Sequence, residues 1–547
     1  METWARKLAS KSDLPFLLLF GLAALYYLYH LGFDDLWSDE IYTLTMIEGP
    51  LWELPAKLRN DLHPPLYYAG LKLFSAVAGK SAFSLRLFSV MALLLTLLLG
   101  YYAGQRVFGK KGAFYFCLMM IALPMPVIFS HQARMYTWAA FSVTGLFVCA
   151  LRYLQTGTRR DLLFLFVFTL MAMYMHYYSL AAAFIANVMV FGLMVNGKWL
   201  VVNGKWLMVN EKEKGERLMV NGERLMVNGK DHVYAMGVAA VLYLPWLWWV
   251  EVQVNKVQQA FWAPEVSVAT LLSCFGAPFS EPYRTTWQAY ALMALCWGLT
   301  GFALYRSFSP WFTGQRSLHP QASLNPQASL NGERWLNGHR RAVRMAVGLF
   351  AGTLLLVTAI SLVSQSILFS RYVMAIVMLP AVPVAILLAN LHNRWVARAL
   401  AALILVLGVS VSSTVFTFSY GPYKQAVNYI GQTYPEVKKV VHIAEITAGP
   451  MLHYNGNSAL QHCWLKAKMS NVDAFTGIRQ YNRPQEFLQP GETFLVAQFN
   501  TLALNAENLD LLLSQSELLQ TDTVVNHKVE SPNRILLYLL QYKADIP

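Results

Sequence analysis

The sequence predicts a polytopic α-helical membrane protein with a small α/β domain at its C-terminal end. Three observations predict it. The 547 residues are 56% hydrophobic and only 13% charged, whereas an average soluble domain carries about 25% charged residues. About eleven apolar runs approach or reach the length needed to cross a bilayer as helices. After about residue 417 the composition turns soluble, and strand-like segments alternate with helix-like ones.

The runs fall at about 14–33, 85–107, 112–130, 135–154, 161–178, 179–195, 233–250, 286–305, 345–363, 372–391 and 397–417. The pair around "MHYYS" also fits one broken helix. The basic opening "METWARKLASKSD" is not followed by a small-residue cleavage site, so the first run reads as a retained span rather than a signal peptide. The net charge of +13 does not point to nucleic acid, because Lys and Arg cluster in the gaps between runs, at "GQRVFGKKG", "RYLQTGTRRD" and "HNRWVARA". That is the positive-inside pattern of cytoplasmic loops. A cytoplasmic N-terminus and an odd number of spans then put the tail on the outer side. The expected location is a bacterial inner membrane, with the C-terminal domain periplasmic or extracellular. The five cysteines form no CxxC, and Cys117, Cys149 and Cys296 sit inside apolar runs. No disulfide framework or zinc knuckle is legible.

The division is therefore 1–417, a transmembrane domain, and 418–547, a soluble α/β domain. The first outer loop spans about 34–84, and it contains "LWELPAKLRN", an amphipathic stretch suited to the membrane interface. Two inserts on the cytoplasmic side are repetitive. Residues 193–230 repeat "LMVNGKW"-like units and residues 319–338 repeat "PQASLN". Heptad spacing suggests a coiled coil, but repeated Asn-Gly is a turn former and Gly is poor in helix interiors. The inserts read as floppy loops or small hairpins with no chemistry. In the tail, "YKQAVNYIGQTY" and "AGPMLHYNG" read as helices, and "VKKVVHIA", "ETFLVAQF" and "RILLYLLQY" as strands. No glycine fingerprint follows a strand there, so the domain reads as a lid or accessory rather than a nucleotide site.

The chemistry-bearing residues begin with "WSDEIYT", where Asp39 and Glu40 stand at the end of the first span among Trp37, Ile41 and Tyr42. Adjacent carboxylates raise each other's cost, so the pair asks for a reason to exist. "NDLHPPLYY" ends the same loop and brings Asp61 and His63, stiffened by Pro64 and Pro65. Further on come Arg134 and Tyr136 in "FSHQARMYTW", His176 in "MHYYS", and Arg371 and Tyr372 in "ILFSRYVM". An arginine at a span end is commonly a headgroup anchor. Arg134 and Arg371, however, fall on the outer side, against the positive-inside bias, and so ask for an anionic partner such as a phosphate. Carboxylates and phosphate binders at one outer surface suit transfer from a lipid phosphate to an acceptor.

These motifs together resemble the GT-C membrane glycosyltransferases, in particular the protein O-mannosyltransferase and aminoarabinose transferase superfamily. The resemblance is carried by Asp39-Glu40, by Asp61-Leu62-His63-Pro64-Pro65-Leu66, and by the later Arg-Tyr pairs. It covers residues 10–190 well and 340–420 loosely. It implies a polyprenyl-phosphate sugar donor and an acceptor glycan, lipid or protein on the outer face, in contact with membrane lipids. It implies Asp39 as general base, with Glu40, Asp61 and His63 in the catalytic set. Arg134, Arg371, Tyr136, Tyr372 and His176 form the donor phosphate set, and a divalent cation near Asp39 and Glu40 is an open expectation. The aminoarabinose branch has Glu-Lys where this chain has Leu62-His63, which argues against lipid A modification. A transporter or flippase of lipid-linked sugars is the alternative; it would also carry ionisable residues in an outer cavity, but no inverted repeat is visible. A non-catalytic membrane scaffold would leave the acids unexplained.

Overall fold

A computed structural model describes residues 13–59, 61, 63–195, 199–202, 205–208, 229–259, 263–280, 286–308, 326–465, 478–500, 506–526 and 533–543. The basic N-terminal stretch, Leu62, most of the first repeat insert and the start of the second lie outside these residues.

Each of the eleven predicted runs is helical. Among the described residues seven helices are long and apolar enough to cross a membrane, and up to nine spans result if two bent pairs each count as one. Leu14–Leu28, with 15 residues, and Arg159–Met175, with 17, complete the set. The bends have local causes. Gln105–Ala122 and Pro124–Ser130 meet at 62° around Leu123, where Pro124 disfavours helical geometry in the residue before it. The 370–376 and 381–390 helices meet at 49°. The "MHYYS" segment is two helices, Arg159–Met175 and Tyr177–Val195, parted by an extended His176 (φ −162°, ψ 148°). One glycine is fixed by packing: a Cβ on Gly408 would collide with the Ala122 carbonyl oxygen. Only a glycine lets the Arg394–Ser412 helix approach that closely.

The segment 34–84, between the first two predicted runs, is built largely from helices. It holds a helix at Ser38–Met46, a short turn of helix at Leu54–Leu58 and a 13-residue helix at Leu66–Ala78. In "LWELPAKLRN", Leu54 and Leu58 are buried while Trp52 is 82% exposed, the amphipathic split expected of an interfacial segment. The repeats divide. In the first insert, β1 (Trp199–Val202) and β2 (Lys205–Met208) pair antiparallel, with Trp199 opposite Met208. That is the hairpin the Asn-Gly repeat favours. In the second, the expectation of a floppy loop or hairpin is overturned: one helix runs from Pro326 to Val363. Proline at a helix start costs no hydrogen bond, and the apolar span that follows carries the helix across the less favourable Asn-Gly steps.

The soluble domain is a six-stranded mixed sheet of order β5-β4-β3-β6-β8-β7. Its strands are β3 (Lys439–His442), β4 (Gln461–Leu465), β5 (Arg479–Tyr481), β6 (Thr493–Phe499), β7 (Ser516–Val525) and β8 (Arg534–Tyr542). Pairing is parallel from β5 to β6 and antiparallel from β6 to β7. The membrane helices share one large apolar core, and each face of the sheet has its own. Trp37 belongs to the sheet core that also holds Tyr423 and Ile430, so the segment entering the Ser38–Met46 helix is also a floor of the soluble domain.

Candidate active site

The Ser38–Met46 helix carries both acids in its first turn, but they meet different surroundings. Glu40 is fully buried. Arg86 grips it with a two-pronged fork, Nε to Oε1 at 2.8 Å and Nη2 to Oε2 at 2.7 Å. The Ala133 amide donates to Oε1 at 2.8 Å and the Trp37 amide to Oε2 at 3.3 Å. Arg86 also donates to the carbonyls of Leu31, Asp34 and Asp35. One ion pair thus joins the end of the first span, the acid-bearing helix, the second span and the loop that carries Arg134. A buried pair of this kind is tolerable only when each charge is paired and hydrogen-bonded, as here. Arg86 was not singled out from the sequence; the signal was an arginine within a predicted apolar span, in "SLRLFSV".

Asp39 is partly exposed, its side chain 30% accessible, and is ion-paired to Arg371 (Nη1 to Oδ2, 3.0 Å). Arg134 is buried beneath it. Arg134 Nη1 donates to the Asp39 carbonyl at 3.2 Å and to Thr43 Oγ1 at 3.1 Å, and Nη2 donates to His63 Nε2 at 3.1 Å. Its two terminal nitrogens therefore fix the helix and His63 rather than stand open. Asp61 is 5% exposed, lies beside the hydroxyls of Tyr42 and Tyr68 and shares the field of Arg134 with Asp39.

The aromatic members gather against this group. The His63 and His176 rings lie 5.5 Å apart, Tyr372 is 5.0 Å from His176 and 6.3 Å from His63, and Tyr136 is 6.0 Å from His176. Burial, then the positive charge of Arg134, hold His63 well below its usual range. Each ring accepts a hydrogen bond, His63 Nε2 from Arg134 and His176 Nδ1 from the Tyr178 amide. Residues 39, 61, 63, 134, 136, 176, 371 and 372 are thus brought into one neighbourhood from distant segments. Glu40 is the exception: its acceptor oxygens are engaged by Arg86 and two amides.

In this arrangement Asp39 and Glu40 each face a guanidinium. Among the described residues no group of three His, Cys, Asp or Glu gathers for a metal ion. An open groove of about 640 Å³ lies between Val268–Phe279 and Trp287–Phe308, and Ser370, the residue before Arg371 in the chain, is part of its lining. Leu272, Phe275, Met293 and Trp297 line it. On the other flank the soluble domain is tied down. Asp34 accepts from Ser419 Oγ and the Tyr420 amide, Asp35 from the Lys424 amide, and Tyr454 Oη from the Leu36 amide. Trp37 stacks on Tyr420 at 4.6 Å.

The fold and site define an integral membrane protein with a carboxylate–guanidinium centre at the junction of its helices and a soluble domain. Residues 62–210 match the family model described as dolichyl-phosphate-mannose-protein mannosyltransferase, and the chain resembles the GT-C membrane glycosyltransferases. That stretch contains His63, Arg134, Tyr136 and His176. No curated protein matches the chain. Among solved structures, ArnT from Cupriavidus metallidurans bound to undecaprenyl phosphate aligns at 13% identity and a TM-score of 0.45, covering 96% of this chain and 98% of that one. The Archaeoglobus fulgidus oligosaccharyltransferase tethered to an acceptor peptide aligns at 11% identity and a TM-score of 0.41, covering 83% and 64%.

Proposed function

We propose that this protein is an inverting glycosyltransferase that moves a sugar from a polyprenyl-phosphate donor to an acceptor on the outer face of the membrane. The observation that carries the reading is the Asp39–Arg371 ion pair, one residue along the chain from Ser370 in the wall of an apolar groove. A prenyl chain suits the groove, and a phosphate suits the guanidinium of Arg371.

Asp39 and Arg371 neutralise each other in the ion pair seen here. A donor phosphate entering along the groove competes for Arg371 and releases the Asp39 carboxylate toward water. Asp39 then accepts the proton of the acceptor hydroxyl or amine as that atom attacks the anomeric carbon. The bond from the anomeric carbon to the phosphate oxygen breaks, and its electron pair leaves with the phosphate, stabilised by Arg371 and the charge of Arg134 behind it. Attack opposite the leaving group inverts the anomeric centre. Arg134 and Glu40 act by holding the helix that presents Asp39. The reading places the N-terminus in the cytoplasm, the soluble domain outside, and the protein in a bacterial inner membrane.

The test is Asp39→Asn, which keeps size and loses the basic oxygen. Transfer should fall by about 10²–10⁴-fold, with polyprenyl-phosphate binding retained. Transfer at the wild-type rate would reject Asp39 as base.

A further inference from the structure

Two histidines of the site hold protons whose positions the surrounding hydrogen bonds fix. A guanidinium can only donate, so His63 Nε2, 3.1 Å from Arg134 Nη2, accepts. The hydrogen of this neutral ring therefore sits on Nδ1. The Tyr178 amide donates to His176 Nδ1 at 3.1 Å, so the hydrogen of His176 sits on Nε2. Both N–H groups, His63 Nδ1 and His176 Nε2, are buried and have no partner among the described residues. Arg134 Nε, also buried, has none either. The residues are 7%, 2% and 5% exposed. Buried donors are nearly always paired in folded proteins, so three orphans in one neighbourhood point to oxygens that arrive with a ligand.

The character of that ligand follows from the walls. Tyr136, Tyr178 and Tyr372 lie within 5.0 to 6.0 Å of His176, ring centre to ring centre. The two imidazole donors are uncharged. Neutral donors set among aromatic faces suit hydroxyl and ring oxygens of a sugar, whereas a phosphate is better served by Arg371. We propose that His63 and His176 read the carbohydrate of the donor, each giving one N–H to a sugar oxygen, an inference that rests on the donor assignment above. The sugar reaches them when the Phe369–Tyr372 segment yields. Arg371 on that segment is the residue a donor phosphate draws away from Asp39.

Isosteric substitutions separate this role from a structural one. The amide nitrogen of Asn replaces Nδ1 of a histidine and that of Gln replaces Nε2. If the orphan N–H groups bind sugar, His63→Asn and His176→Gln keep the donor. If the histidines only support Arg134 and Tyr178, the opposite pair, His63→Gln and His176→Asn, keeps function. The experiment uses the full-length protein in nanodiscs and titrates polyprenyl phosphate and polyprenyl-phosphate mannose and glucose. Wild type should bind at least one sugar-bearing probe more tightly than the sugar-free one. That preference should persist within about 3-fold in His63→Asn and His176→Gln and fall about 5- to 10-fold in the opposite pair and in the leucine variants. Sugar-free binding should fall less than sugar-bearing binding in the opposite pair and the leucine variants. The inverse pattern, an equal loss for sugar-free and sugar-bearing probes, or no wild-type preference for sugar would each overturn the assignment. Failure of wild type to bind any probe would instead overturn the polyprenyl-phosphate donor itself.

Discussion

Replacing Arg86 with methionine would leave the fully buried Glu40 carboxylate without its guanidinium and three backbone carbonyls without a donor. Breaking a buried pair from one side costs about 3–5 kcal/mol, because the remaining charge is neither solvated nor paired. The geometry puts this case toward the upper end: the fork is two-pronged, at 2.7 and 2.8 Å, and the side chains are 3% and 0% exposed. The double variant Arg86→Met, Glu40→Gln removes both charges, so it should recover about half the loss seen with Arg86→Met alone. Thermal unfolding of the purified protein in one detergent, followed for both single variants and the double, measures the cycle. Donor binding should fall with Arg86→Met, since the Ser38–Met46 helix and the Ala133–Arg134 loop lose their shared anchor. A loss under about 1 kcal/mol, or a double variant no more stable than Arg86→Met, would refute the view that this pair holds the site together.

Arg371→Ala should weaken binding of polyprenyl phosphate about 10-fold or more while leaving the unfolding temperature nearly unchanged, and Arg371→Lys should restore part of it, supplying charge without the fork; unchanged affinity would leave Arg371 as Asp39's partner alone. The five cysteines are buried, so single new ones report topology: Glu517→Cys should label from outside intact cells and Lys111→Cys should not, and the reverse pattern would invert the orientation. In the soluble domain, His442 Nε2 and His462 Nδ1 lie 2.8 Å apart; burial pushes His462 down to about 4 and His442 well below its usual range. The unfolded chain takes up the His462 proton from about pH 6.5, so stability should be full above that pH, fall by about 3 kcal/mol toward pH 4 and then level for this group. Hydrogen exchange of β3 and β4 amides, corrected for intrinsic rates, measures this, and pH-independent protection would contradict it.

The apolar runs were legible because a span is written in consecutive residues: hydrophobicity over a helical length is a local sum. The strands β3, β6 and β8 were legible for the same reason, and so was the hairpin in the first insert. The more exposed β7 and the three-residue β5 carried too little local signal. Asp39, Asp61, His63, Arg134, His176 and Arg371 stood out because ionisable residues at span ends and re-entries are costly and therefore conspicuous.

What the sequence left open was pairing. Asp39 and Glu40 are neighbours of like charge, and nothing local says which one is exposed. The helix turn decides it, sending Glu40 into the fork of Arg86, 46 residues away, and Asp39 to Arg371, 332 residues away. Arg134 read as an open phosphate binder, yet its terminal nitrogens are committed to His63 and to the helix beneath Asp39. The histidine tautomers likewise depend on which atom happens to donate to each ring. A buried charge must find a partner, and the sequence states that demand by placing the charge among apolar residues. Which partner meets it is set by how the helices pack, a long-range property that no local pattern of residues encodes.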